Sequence, residues 1–226
     1  MAHYPPPPPG GGWAPPAAHD PYAADRALVE FAHARGFQVA AQGDARWYQA
    51  WAPFAYLSPI HRVGRDLRAQ LGDAALTIAE CYEGDALKEV TGEHRHVVAF
   101  LVSPRLAYRA AVRSKGGAGI VDGVTQGLDE LFGSRPRGFL GDPTFEARFD
   151  VLGPTVEEAN AALPMPLRQL LLHANFRGIL EVRGQGLVVT FFDRNGFDPI
   201  SLGDTIARVG QLYAAATQYP HVVTPR

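Results

Sequence analysis

The chain has 226 residues, of which 46% are hydrophobic, and a formal net charge of −2, values typical of a globular protein. This slightly acidic balance argues against a general nucleic-acid binder, because such proteins carry a basic surface. No apolar run approaches the roughly 20 residues that a membrane-spanning helix needs, and no basic region followed by an apolar core indicates a signal peptide.

Residues 1–19 are rich in proline and glycine, with a run of prolines at Pro5–Pro9 followed directly by glycines. Prolines favour an extended polyproline II segment that has no core of its own. We therefore expect residues 1–19 to form a disordered tail. The alternative is that the prolines bind an aromatic groove of a partner, or that the segment is a tether.

An amphipathic helix is predicted after this tail. Asp20 and Pro21 are typical of an N-cap and a first helical position. Leu28 lies on the apolar face, and Gly36 is expected to end the helix because glycine readily adopts the left-handed conformation found there. Residues 37–41 predict a short strand.

Five aromatic residues then follow within about ten positions. Such a cluster is expected to form a corner of the core, where a loop folds back on a sheet. The alternative is an exposed recognition surface. The cluster consists of Trp47, Tyr48, Trp51, Phe54 and Tyr56.

Three further strands are predicted at Leu76–Tyr82, His96–Val102 and Leu106–Val112, each bounded by turn-rich or charged segments. An antiparallel meander is their simplest arrangement. With the preceding helix they form an expected N-terminal lobe over residues 20–113. The Gly-rich residues 114–143 are expected to be a linker between this lobe and the rest of the chain.

Residues 144–216 predict a second, C-terminal lobe, which begins with a strand. Phe145, Ala147, Phe149 and Val151 alternate with polar residues, so this pattern predicts one buried face and one wet face. Because neighbours in a strand face opposite ways, we expect the side chains of these four residues to lie together in the core. Residues 217–226 are expected to be a short C-terminal tail.

Helices and a hairpin complete the C-terminal lobe. Thr155 and Glu158 match a capping box, and Pro166 fits the first turn of a second, Leu-rich helix. Residues 179–183 and 187–192 predict two strands joined at a Gly-bracketed turn. The fold class predicted for the whole chain is α+β, with two packed lobes, mostly antiparallel sheets and a C-terminal unit of order β-α-α-β-β-α.

A metal site is the main chemical alternative that the sequence offers. On an extended strand His94 and His96 would point to one face, and Glu80 or Cys81 from a neighbouring strand could complete the ligand set. A spaced second pair of ligands is missing from the sequence. We therefore assign no catalytic, cofactor-binding or metal-ligating residue, and expect no cofactor.

Several stretches of the sequence resemble an uncharacterised bacterial family, domain of unknown function 3137. They are Ala52-Pro53-Phe54, Ala79-Glu80-Cys81-Tyr82, Val97–Arg105 and, above all, the residues from Thr144 to Val151. The last stretch is similar to a Phe-Glu-x-x-Phe-x-Val strand of that family, followed there too by a helical segment, a Leu-rich helix and a hairpin. The resemblance covers roughly residues 50–215 and implies no catalytic residues.

These observations predict a non-catalytic bacterial binding or interaction module whose partner is another protein. The apolar framework is well patterned, but it carries no converging set of titratable residues such as enzymes use. Cys81 is the one cysteine, which excludes an intramolecular disulfide and fits a reducing cytoplasm. A metal-dependent protein or enzyme that uses His94 and His96 with Glu80 or Cys81 is the alternative.

Overall fold

The computed structural model describes residues 23–57, 59–83, 95–115, 140–193 and 196–217. The predicted tail of residues 1–19, most of the predicted linker and nearly all of the C-terminal tail lie outside these ranges. Within them, none of the helices combines the length and the apolar character needed to cross a bilayer.

The described residues form six helices and eight strands. The helices are α1 (Ala23–Ala34), α2 (Ala45–Gln49), α3 (Pro143–Arg148), α4 (Val156–Ala162), α5 (Met165–His173) and α6 (Pro199–Thr217). The strands are β1 (Gln38–Ala40), β2 (Ile60–Leu71), β3 (Ala74–Glu83), β4 (Arg95–Val102), β5 (Ala110–Ser114), β6 (Phe149–Leu152), β7 (Gly178–Arg183) and β8 (Gly186–Phe191).

All eight strands belong to one antiparallel sheet of order β1-β2-β3-β4-β8-β7-β5-β6. The predicted α+β class is confirmed, and so is the C-terminal order, which runs β6-α4-α5-β7-β8-α6. Strands from both predicted lobes share this sheet: β4 pairs with β8, with Phe100 opposite Val188, and β5 lies between β7 and β6.

The sheet has an apolar core on each side, because successive strand residues point to opposite faces. On the side that we call the helix face, sheet residues such as Ile78 join Leu28 of α1, Leu171 of α5 and Val209 of α6 in one cluster. The outer face has a smaller cluster that is covered by α2 and residues 51–57. Its members include Tyr48, Phe54, Cys81, Phe100 and Val188.

The predicted helix start at Asp20 and Pro21 lies outside the described residues, and the predicted helix ends within them are confirmed. Gly36 follows α1 with φ of 73°, the left-handed region that favours glycine. The Thr155 hydroxyl accepts a hydrogen bond from the Glu158 N–H at 3.1 Å, as a helix N-cap should. The β7–β8 turn lies at the predicted Gly-bracketed position, and its positive φ of 67° belongs to Gln185, between the two glycines.

The strand predicted at Phe145–Val151 is wrong in its first half. Residues 143–148 form α3, and the strand begins only at Phe149. The Asp142 side chain caps α3 by accepting from the Phe145 N–H at 3.1 Å, which favours a helical turn over an extended start. Phe145 and Phe149 are both buried in either arrangement, but Ala147 is exposed on α3.

Candidate functional site

The first of three buried carboxylates lies on the outer face of β2. Asp66 is fully buried and accepts hydrogen bonds from the Tyr48 hydroxyl at 2.7 Å and from Arg68 Nη2 and Nε at 2.7 and 3.1 Å. Burial, and then the hydrogen bond to Asp66, raises the pKa of Tyr48 well above its ordinary value. Asp66 thus fixes α2 against the sheet and holds the Arg68 guanidinium in place.

The second buried carboxylate, Glu80, lies on the helix face. Arg65 binds both of its oxygens, through Nε at 2.9 Å and Nη2 at 3.0 Å, and Arg95 donates to Oε1 at 3.1 Å. The hydrogen bond to Glu80 is the main cause of a raised pKa at Arg65. Arg65 also pairs with Asp25 at 2.9 Å, so this network ties the start of α1 to the sheet.

The third buried carboxylate anchors the loop on the outer face. Glu181 Oε1 accepts from the backbone N–H groups of Ala55 at 2.7 Å and Tyr56 at 3.2 Å. Its other oxygen accepts from Arg183 Nη2 at 2.6 Å, and the same nitrogen donates to the Pro53 carbonyl at 2.7 Å. The pair therefore links β7 to residues 51–57.

Among the described residues, the ligands of the alternative metal site are divided between the two faces of the sheet. Cys81 and His96 are opposite each other on β3 and β4. Glu80 adjoins Cys81 and so points to the other face, where two arginines hold it. His94 lies outside the described residues, and among those described no group of three or more His, Cys, Asp or Glu side chains is arranged to hold a metal ion.

The Cys81 thiol should be inert in the folded protein. It is only 2% exposed, and burial raises its pKa far above the ordinary value, so the reactive thiolate does not form. We expect iodoacetamide at about pH 8 to leave Cys81 unmodified in the native protein and to modify it completely in denaturant, as mass spectrometry would show. Rapid modification of the native protein would contradict the observed burial.

Most of the aromatic cluster belongs to the core, as predicted. Tyr48, Phe54 and Tyr56 are buried. Trp47 and Trp51 are half-buried, and the Trp47 ring packs edge-on against Phe100 with ring centroids 5.6 Å apart. Trp47 therefore belongs to the core on one side and faces the surface on the other.

A groove of about 520 Å³ opens beside Trp47 on the outer face, and we call it the Trp47 groove. Its floor comes from β2, β3 and β4, since Arg68 pairs with Thr77, and Ala75 pairs with Val102. Trp47 forms one wall. The polar side chains at its edge are Gln38, Arg68 and Gln70.

The charge in the Trp47 groove is balanced. Arg68 contributes a guanidinium, but the fully buried Asp66 binds it in a two-point ion pair. Gln38 and Gln70 are uncharged and exposed, and Gln70 Nε2 donates to the Gly72 carbonyl at 2.9 Å. This arrangement suits a neutral ligand that has an apolar side and accepts hydrogen bonds.

Comparison with known proteins identifies the fold but no family. No family model matches the chain, and no curated protein matches its sequence. The fold is similar to the crystal structure of the mycobacterial trehalose monomycolate transport factor A, TtfA. The TM-score is 0.55 at 13% identity, and the match covers 89% of this chain and 96% of TtfA. The likeness establishes the fold alone. The resemblance to domain of unknown function 3137 stays a prediction.

Proposed function

We propose that this chain is a non-catalytic binding module that holds another protein at the Trp47 groove. The observation that carries the proposal is the groove itself. Its volume of about 520 Å³ lies within the range of about 300–1,000 Å³ that is typical of ligand sites. It combines an aromatic wall with a few polar side chains, which is the usual composition of a binding site.

The buried acidic groups support a binding role over a catalytic one. A general acid or base must be within hydrogen-bond reach of its substrate. Asp66, Glu80 and Glu181 are instead each bound to an arginine and hold elements of the fold together. Cys81, another residue of the alternative metal site, is a buried thiol with a raised pKa.

The likeness to TtfA supports an accessory role. TtfA is named a transport factor for trehalose monomycolate, and this chain shares its fold. By that likeness we extend the proposal to a bacterial accessory protein that works with a partner in transport. The single cysteine, kept as a buried thiol, supports a location in the cytoplasm.

Site-specific crosslinking would test the groove as the partner-binding surface. A photo-crosslinking amino acid would replace Val102, on the groove floor, or Val156, on α4 and away from the groove. The two valines are matched, with exposures of 39% and 43%. After irradiation of the native cells, we expect the Val102 variant to give discrete protein adducts, and mass spectrometry to identify one partner.

The control decides what the adducts mean. Adducts formed at Val102 and not at Val156 would support a partner at the groove. The same adducts from both positions, or none from Val102, would overturn the proposal. Folding of each variant would be checked by its thermal melt, since Val102 lies in a central strand.

A further inference from the structure

The lining of the Trp47 groove fits a polyproline II segment. Proline-rich segments bind grooves lined by aromatic side chains, and their stiffness lowers the entropy cost of binding. Their carbonyl groups make no internal hydrogen bonds. Here Trp47 is a flat wall against which proline rings can pack, and the side-chain amides of Gln38 and Gln70 can donate to the carbonyls.

The balanced charge of the groove fits an uncharged segment, and the chain itself carries one that is rich in proline, Tyr4–Pro9. The Arg68 guanidinium is balanced by Asp66, so the groove has no net charge to attract an ion. Residues 4–18 contain no acidic or basic side chain and no histidine. An uncharged segment therefore matches the groove better than an acidic or basic peptide would.

The length of chain before α1 allows this contact. The pair between Asp25 and Arg65 places the start of α1 on the helix face of β2, three residues before Arg68. The groove lies on the other face, beyond the edge strand β1. Neighbouring strands are about 5 Å apart, and the chain must also pass about 10 Å of sheet thickness. The path from the start of α1 around β1 to the groove is therefore about 30 Å. Residues 10–22 span up to about 40 Å.

We infer that Tyr4–Pro9 binds in the Trp47 groove of its own chain as a polyproline II ligand. A short tether gives an effective concentration of about 1 mM, so even weak binding would fill much of the groove. The segment then competes with the partner protein, and a partner must displace it. The inference rests on the proposed function, because it names the regulation of the same groove.

A spin label near the proline run would test the inference in the full-length chain. Ala2→Cys would carry a nitroxide, while the buried Cys81 would remain unlabelled. We expect the side-chain amide signals of Gln38 and Gln70, and the indole N–H signal of Trp47, to lose about half of their intensity or more.

The controls separate binding in the groove from general proximity. The exposed Gln169, on α5 and the helix face, should keep its intensity. In the labelled chain, Pro6→Ala with Pro8→Ala should restore the signals of the groove residues and should increase crosslinking from Val102. Equal broadening at Gln169, or no broadening in the groove, would overturn the inference.

Mixed samples separate the chain's own segment from that of a second copy. If spin-labelled chains broaden the groove signals of separate, isotope-labelled chains that carry no spin label, the ligand comes from a second copy and the inference is wrong. The result of the spin-label experiment can also be separated from the result of the crosslinking experiment that tests the proposed function. A partner adduct at Val102 without any spin-label contact would leave the binding module standing and remove only its regulation.

Discussion

Glu181→Gln should lower the free energy of unfolding by about 3–5 kcal/mol, the usual cost of removing one partner from a buried ion pair. Glu181 is 1% exposed, and the Arg183 side chain is only 16% exposed. The amide would leave the arginine without its counter-charge. It would also weaken the acceptor of two backbone N–H groups, at Ala55 and Tyr56.

A second ion pair of the same residue types is the matched control. Glu158 and Arg109 are 3.1 Å apart, but their side chains are 26% and 47% exposed. Because exposed pairs contribute about 0–1 kcal/mol, Glu158→Gln should have a small effect. In a chain of this size each kcal/mol shifts the melting temperature by about 2–4 °C. Thermal melts of both variants therefore separate them, and equal shifts would contradict the role given to Glu181.

A double variant of Glu181 and Arg183 shows whether this ion pair only stabilises the fold or also takes part in binding. Replacing Glu181 and Arg183 together by apolar residues should recover part of the lost stability, because no unpaired charge then stays buried. If the pair acts only by holding residues 51–57, any crosslinking from Val102 that Glu181→Gln loses should return in the double variant together with the stability.

Local signals carried much of the fold prediction. Gly36, Thr155 and Pro166 each mark a helix end through their own backbone or side-chain chemistry, which needs no tertiary partner. The strands of the β7–β8 hairpin follow from a short turn between apolar runs. With the buried runs of β3 and β4 recognised, an antiparallel α+β fold follows from the sequence.

Strand β2 was missed because its charges are compensated only in three dimensions. It covers twelve residues, and Arg65, Asp66 and Arg68 interrupt its apolar pattern. Arg65 binds Glu80 on the next strand, while Asp66 binds both Arg68 and Tyr48 of α2. A register shift between Val63 and Asp66 also breaks the alternation. Glycine within an alternating run, here Gly64, is a sign of such a bulge.

The Trp47 groove was missed for the same reason. Arg68 and Gln70 lie on β2, so without that strand they cannot be placed beside Thr77 and Val102. Only Trp47 could be proposed for a surface role from sequence, as part of the aromatic cluster. The groove depends on which strands are neighbours, and that order is a tertiary property.

Phe149→Ala should be severely destabilising, while Ala147→Lys, two residues away, should be nearly neutral. Phe149 is 2% exposed, and its ring centroid lies 4.6 Å from that of Phe145 and 6.4 Å from that of Phe176. Truncating a buried Phe costs about 3–5 kcal/mol, from lost transfer energy and the cavity left behind. That is a large part of a total stability of commonly about 5–15 kcal/mol.

Ala147 tests the local structure and not only the burial. In a strand from Phe145 to Val151 it would share the buried face with Phe149, and a lysine there would have to bury its charge at a cost of several kcal/mol. In α3 it is exposed, and lysine is nearly as good a helix former as alanine, so the expected change is below about 0.5 kcal/mol. Urea unfolding of both variants measures these differences. A large loss with Ala147→Lys would show that residues 145–148 are extended, whereas a mild effect of Phe149→Ala would show that its ring is not in the core.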